Sequence, residues 1–88
     1  MFEWDEKKSE RCLIERGFDF NIVYEFNFET AIIKLDDRFD YGEIRYCAMN
    51  KIDGKLYAVV FTRRQVNVKI ISVRRATDKE GLKYGLQD

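Results

Sequence analysis

The sequence predicts an α+β fold with two N-terminal helices, a four-stranded antiparallel sheet and a short C-terminal helix. The hydrophobic spacing is helical near the start of the chain and alternates with a period of two from Glu29 onward. A helix-capping motif then follows near the end of the chain. No Pro and no low-complexity tract interrupts the 88 residues, so we expect one domain over residues 1–88.

The N-terminal segment carries start and stop signals for two helices. Asp5 is a suitable N-cap for the first helix, and Gly17 is a suitable residue just past its C-terminus. A second, shorter helix is predicted after Asp19, because the apolar residues at positions 20, 23 and 24 share one helical face.

The middle of the chain has the pattern of extended strands joined by tight turns. Apolar residues alternate over 31–35 and again over 44–49, with charged residues and a loop between them. Asp53-Gly54 predicts a hairpin, because both positions tolerate a positive φ angle. The following run, 57–62, has the composition of a buried strand, and residues 63–65 are predicted to form the next turn.

The last strand and the terminal helix complete the predicted fold. The strand runs from Val66 to about Arg74, and its apolar residues change phase after Ile70, which predicts a β-bulge or a strand covered on both faces. Thr77 and Glu80 have the spacing of a capping box, and we expect them to open a short helix that two glycines weaken.

The composition excludes several classes of site. The chain has no His, which removes the commonest general base at neutral pH and the commonest metal ligand. Cys12 and Cys47 lack CxxC spacing and fit reduced thiols better than a disulfide or a zinc site. No apolar run approaches the ~18 residues that a transmembrane helix needs. We therefore expect a cytoplasmic protein that works without a metal ion, a cofactor or a membrane.

Charge is divided unevenly along a chain whose net charge is zero. Residues 1–44 carry twelve acidic and six basic side chains, whereas residues 45–88 carry four acidic and ten basic ones. The C-terminal half could therefore build a basic surface that holds a polyanion or an acidic partner. Alternatively, the two halves neutralise each other across the fold.

Several segments, in order and with small gaps, carry a family resemblance over nearly the whole chain. They are Phe2-Glu3-Trp4-Asp5 with Lys8, then Gly17, Phe20, Phe26, Glu43-x-Arg45, Val59-Val60-Phe61-Thr62-Arg63, Ile70-Ile71-Ser72-Val73-Arg74-Arg75-Ala76-Thr77, Glu80 and Tyr84. Together they resemble the BrnT family, the toxins of BrnT/BrnA type II toxin–antitoxin modules. The resemblance implies a RelE/ParE-like fold, ribonuclease activity that arrests growth, and neutralisation by a BrnA-type antitoxin, through which any contact with DNA would be indirect.

RNA cleavage without a metal ion needs a group that activates the 2′-OH, cations that stabilise the pentacovalent phosphate, and an acid for the leaving 5′-oxygen. RelE-like enzymes resemble this scheme and rely on Arg, Lys and Tyr rather than on a His pair. On that resemblance, the predicted catalytic residues are Glu43, Arg45, Arg63 and Arg74, and the predicted RNA-binding residues are Lys8, Arg16, Lys69 and Tyr84. Glu43 or Lys8 would manage the proton.

Each of these residues also has a structural interpretation. Glu43 and Arg45 would form a surface ion pair, and Arg74 would neutralise the acidic first helix. Tyr84 would pack on the core, and Glu80 would serve only the capping box.

Two departures from the family pattern motivate other functions. The family usually has Asn and then Lys-His-Gly at the end of the first helix, where this chain has Cys12 and Glu15-Arg16-Gly17. Lys69 stands where an Arg is usual. A second hypothesis is therefore a catalytically inactive relative that docks an antitoxin, and a third is a ParE-like toxin that inhibits a topoisomerase. Where an antitoxin binds, we expect it to cover the basic face of the sheet.

Overall fold

The computed structural model describes residues 1–38 and 40–86. Within these residues the elements follow the order strand, helix, 3₁₀ helix, four strands, helix. Their bounds are β1 Phe2–Glu3, α1 Glu6–Arg16, the 3₁₀ helix Phe20–Glu25, β2 Ile32–Leu35, β3 Tyr46–Ile52, β4 Lys55–Arg64, β5 Asn67–Arg75 and α2 Asp78–Tyr84. None of the helices in this part of the chain has the length and hydropathy that crossing a bilayer would take.

The strands of the described residues form one mixed sheet in the order β1-β5-β4-β3-β2. The four antiparallel strands predicted from the sequence are present as β2 to β5. The prediction of a purely antiparallel four-stranded sheet is wrong, because β1 adds a fifth strand that pairs in parallel with β5. Phe2 and Glu3 are too few to show a period in the sequence, and the pairing depends on Val68, whose N–H donates to the Met1 carbonyl.

The first predicted helix is confirmed with both of its ends. The Asp5 side chain accepts from the Lys7 N–H, and Gly17 adopts the left-handed conformation at φ 84°. The second is a 3₁₀ helix rather than an α-helix. Asp19 caps it as predicted, but the segment spans six residues, and the Phe26 N–H closes it on the carbonyl three residues before.

The turns and the bulge follow the sequence prediction with one shift. Asp53 and Gly54 both have a positive φ, as the hairpin between β3 and β4 requires. β4 continues through Arg64, so the next turn lies at residues 65–66 rather than at 63–65. The predicted bulge is confirmed: Val60 pairs with Ser72 but Phe61 pairs with Ile70, which leaves an extra residue in β5.

Two apolar clusters cover the two faces of the sheet. We call the face that packs against α1 and the 3₁₀ helix the α1 face; it carries Tyr57, Val59 and Phe61 from β4. We call the opposite face, beside α2, the α2 face; it carries Leu56, Ala58 and Val60 from the same strand. The alternation of β4 between two covered faces explains why nearly the whole strand is apolar and buried.

The terminal helix begins at the predicted capping box, in which Thr77 and Glu80 each bond the other's backbone. Gly81, which the sequence marked as weakening this helix, has a packing role as well. A Cβ at this position would lie 2.7 Å from Leu56 Cδ2, so the glycine lets α2 approach β4 closely. This close approach sets the height of α2 above the α2 face.

Candidate functional site

A polar cleft of about 600 Å³ opens on the α2 face, between the sheet and α2. Its charged side chains are three acids and three bases, so the cleft wall is close to neutral rather than strongly basic. The lining residues are Leu35, Asp36, Asp37, Arg38, Cys47, Met49, Val60, Ser72, Arg74, Glu80, Lys83 and Tyr84. The described residues contain no group of three or more His, Cys, Asp or Glu side chains arranged to hold a metal ion.

Arg74 is fixed in this cleft by a two-point ion pair. Its Nη2 donates to Glu80 Oε2 at 2.7 Å, and its Nη1 donates to Glu80 Oε1 at 3.1 Å and to the Arg75 carbonyl at 3.2 Å. The hydrogen bond with Glu80 raises the pKa of Arg74 further above its usual value. The same bonds, together with the Thr77 N–H, lower the pKa of Glu80 from 4.5 to about 2.

This pairing leaves one edge of the Arg74 guanidinium available. A guanidinium has five N–H donors, and the bonds of Arg74 to the described residues use both hydrogens of Nη1 and one of Nη2. The Nε–H and the second Nη2–H form the adjacent edge of the fork. With 41% of the side chain exposed, this edge can bind two oxygens of a phosphate while Glu80 keeps the group oriented.

Tyr84 lies in the same cleft with its hydroxyl against a thiol. Burial first, and then the neighbouring Cys47 thiol, raise the pKa of the Tyr84 hydroxyl. The ammonium group of Lys34 lies 4.8 Å from the centroid of the Tyr84 ring, a cation–π distance. Tyr84 therefore stays protonated at neutral pH and can donate a hydrogen bond in the cleft.

Asp36 also lines the cleft, although it was not among the site residues predicted from the sequence. Its side chain is 4% exposed and accepts from Arg38 Nε at 2.7 Å and from Arg38 Nη2 at 2.9 Å. The Tyr41 hydroxyl donates to it as well. The hydrogen bonds from Arg38 lower the pKa of Asp36, so the buried carboxylate is charged.

Glu43 and Arg45 lie together in a shallow neighbouring pocket that shares Leu35 and Asp36 with the cleft. Arg45 Nε donates to Glu43 Oε2 at 3.2 Å, and Arg64 Nη2 lies 3.5 Å from Glu43 Oε1. Partial burial of Glu43 acts to raise its pKa, as a general base would need, but this effect is the smaller one. The hydrogen bond from Arg45 instead lowers its pKa, which weakens Glu43 as a base.

The predicted site residues divide between the two sides of the sheet. Arg74 and Tyr84 line the cleft, and Lys69 projects from the same face, since its neighbours Val68 and Ile70 pack on the α1 face. Arg63 lines a different pocket, on the α1 face. Lys8 and Arg16 belong to α1 and lie with it on that side. The structure therefore does not bring Arg63, Lys8 or Arg16 to the cleft that holds Arg74.

Four charged cleft residues were missed by sequence reasoning: Asp36, Asp37, Arg38 and Lys83. The run of two acids and an arginine after β2 was the available signal for the first three, but such runs usually lie in solvent. Lys83 is one charge on a short terminal helix and has no distinguishing pattern. Only the packing of α2 against β4 brings it to the cleft.

A family model described as the ribonuclease toxin BrnT of type II toxin–antitoxin systems matches residues 4–80. No curated protein matches the chain closely enough to add to this finding.

Proposed function

We propose that this chain, which belongs to the BrnT family of ribonuclease toxins of type II toxin–antitoxin systems, cleaves RNA in the cleft on the α2 face. The proposed cleavage needs no metal ion. Arg74 is the residue that would hold the scissile phosphate. A toxin of this kind acts on RNA in the cytoplasm, and a BrnA-type antitoxin neutralises it. The proposal includes a RelE-like fold and a RelE-like scheme of RNA cleavage, as the family resemblance implies.

The observation that carries the proposal is the free edge of the Arg74 guanidinium. Glu80 holds the opposite edge through two hydrogen bonds, so the fork is oriented before substrate arrives. Binding a phosphate then costs little ordering of the side chain, and the donors are in place as negative charge develops. Lys83, which lines the same cleft, places a second cation near the phosphate, whereas the charge of Arg38 is neutralised by Asp36.

The proposed reaction is an internal transfer in the RNA backbone. The 2′-oxygen attacks the adjacent phosphorus, the bond from phosphorus to the 5′-oxygen breaks, and the products carry a 2′,3′-cyclic phosphate and a 5′-hydroxyl. The proton of the 2′-OH leaves to a base, and the departing 5′-oxygen takes up a proton. Tyr84, which stays protonated, is suited to bind RNA or to donate this second proton.

Glu43 is poorly suited to be the base that receives the 2′-OH proton. Glu43 was the first choice from the sequence, but two arginines lie against its carboxylate and its pKa is lowered. This observation favours a second candidate function. A chain that had lost catalysis would keep the fold and the antitoxin-binding surface while its cations were neutralised by neighbouring acids.

A pair of matched substitutions tests the proposal. Arg74→Lys keeps the charge but removes the fork, whereas Arg75→Lys makes the same change one residue later on the other face, where Arg75 contacts the Tyr57 ring. With a fluorescent RNA in the presence of a chelator, we expect Arg74→Lys to slow cleavage by roughly 100-fold and Arg75→Lys to leave it near the wild-type rate.

The same assay separates the alternatives. Intact RNA with the wild-type protein, together with unimpaired growth on expression, would favour the inactive antitoxin-binding relative. Cleavage that requires added Mg²⁺ would contradict metal independence. Equal effects of the two Lys variants on the cleavage rate would show that Arg74 does not hold the scissile phosphate.

A further inference from the structure

The α1 face carries a second depression, which we call the apolar groove. It encloses about 420 Å³ and is lined by Phe2, Phe28, Ile33, Tyr46, Phe61 and Val68, together with one charged residue, Arg63. Volumes of this size accept several large apolar groups. The groove lies on the opposite side of the sheet from the cleft of Arg74.

The floor of the groove is built before any partner arrives. The Phe61 ring lies at the centre, with the Phe28 ring packed edge-on at 5.5 Å and the Tyr46 ring stacked at 5.5 Å. Phe2 adds a tilted contact to Phe28 at 5.6 Å. Because these rings hold one another, a partner would not have to order them on binding, which lowers the entropy cost of association.

The rim of the groove exposes more apolar surface. Ile33, on the edge strand β2, lines the groove with 43% of its surface exposed. An exposed apolar side chain beside a preformed apolar groove is typical of a protein–protein contact.

Arg63 provides the charge that identifies the occupant. Among residues 1–38 and 40–86, no hydrogen bond or ion pair engages its guanidinium. The arginines of the α2 face differ, since Glu43 lies against Arg45 and Arg64 and Glu80 against Arg74. The uncompensated cation therefore lies beside apolar surface, and a carboxylate on an apolar segment is its complement.

We infer that the apolar groove docks an amphipathic segment of the antitoxin, with large apolar side chains on the aromatic floor and a carboxylate paired with Arg63. The inference rests on the antitoxin partner of the proposed function, but not on RNA cleavage at Arg74. It replaces the sequence expectation that the antitoxin covers the basic face of the sheet. Docking and RNA cleavage then use opposite faces, so each can be impaired separately.

The test measures, by calorimetry, the affinity of the purified wild-type chain and its variants for a BrnA-type antitoxin. Ile33→Glu places a charge in the groove, and Ile14→Glu makes the same change at an α1 position that is 84% exposed and outside the groove. We expect Ile33→Glu to weaken binding by about 100-fold and Ile14→Glu to change it less than about threefold. Both variants should keep the wild-type rate of RNA cleavage.

A charge reversal tests the assigned carboxylate. Arg63→Glu should weaken binding, whereas Lys55→Glu, at the far end of β4, should not. The acidic residues of the partner are then replaced by Arg one at a time. One of these replacements, at the residue that pairs with Arg63, should restore the affinity of the Arg63→Glu variant. These two variants also keep the test decisive if Ile33→Glu fails to fold by circular dichroism.

Three results would overturn the inference. Ile33→Glu and Arg63→Glu could both bind the antitoxin as tightly as the wild type. The Arg74→Lys variant, changed only in the cleft, could lose binding while the groove variants keep it. Alternatively, the free chain could sediment as a dimer that Ile33→Glu converts to a monomer, which would assign the groove to a second copy. Absence of RNA cleavage would refute the proposed function while leaving the binding result intact.

Discussion

Replacing Glu80 by Gln tests the ion pair that orients Arg74. A carboxyl group whose pKa falls from 4.5 to about 2 on folding would contribute roughly 3 kcal/mol at neutral pH if solvent did not screen the pair. The side chains of Glu80 and Arg74 are 36% and 41% exposed, so screening reduces this value. We therefore expect Glu80→Gln to lower the free energy of unfolding by about 1 kcal/mol at pH 7.

The sign of the pH dependence follows from the lowered pKa of Glu80. The folded state favours the charged carboxylate, so the contribution is fully present above pH 4.5 and is lost as the pH falls towards 2. The difference in stability between wild type and Glu80→Gln should therefore shrink as the pH falls below 4.5. Both proteins should approach equal stability near pH 2.

Urea unfolding followed by the fluorescence of Trp4, the one Trp of the chain, measures this difference. Urea is preferred because guanidinium chloride, a salt, would screen the ion pair. Asp78→Asn is the control, since it removes an acid from the first turn of the same helix. A loss at pH 7 no larger than that of Asp78→Asn, or one that persists unchanged at pH 3, would refute the reasoning.

Two further substitutions have defined outcomes. Gly17→Ala should lower the free energy of unfolding by about 1 kcal/mol, because φ is 84° there and no atom obstructs a Cβ; Gly17→Asn should cost less, and equal losses in urea unfolding would contradict this origin. Asp36→Asn should cost roughly 2 kcal/mol at pH 7, because the amide cannot accept both Arg38 bonds. The pKa of Asp36 is lowered, so this loss should fade below pH 3.8, and a loss that does not depend on pH would argue against an ion pair.

Local elements were predictable where the signal lies within a few adjacent residues. The cap at Asp5, the stop at Gly17 and the hairpin at Asp53 depend on the conformational preference of one or two side chains. The bulge in β5 was readable for a related reason. A strand with two covered faces needs apolar residues on both faces. After Ile70 the alternation of apolar residues shifts by one position, and this shift marks the inserted residue of the bulge.

The site was only partly predictable. Arg74 and Tyr84 do lie in one cleft, and Glu43 does contact Arg45, as their sequence spacing allowed. Arg63 was assigned to the same group because it is a cation near a strand end. The face of the sheet on which Arg63 lies depends on the register of β4. Arg63 is two residues after Phe61, so its side chain lies on the same face as Phe61, the α1 face. A shift of one residue would have turned it to the α2 face, although Arg74 pairs with Ala58, five residues away along β4.

The sequence by itself determined the helix caps, the hairpin, the alternation of the strands and the family to which the chain belongs, because each is written in neighbouring residues or in their order. Only the tertiary structure decided that β1 joins β5, that Glu80 holds one edge of Arg74 and leaves the other open, and that Arg63 faces an apolar groove. These contacts join residues through sheet register and helix packing. Their energies depend on burial and distance, which no local pattern specifies.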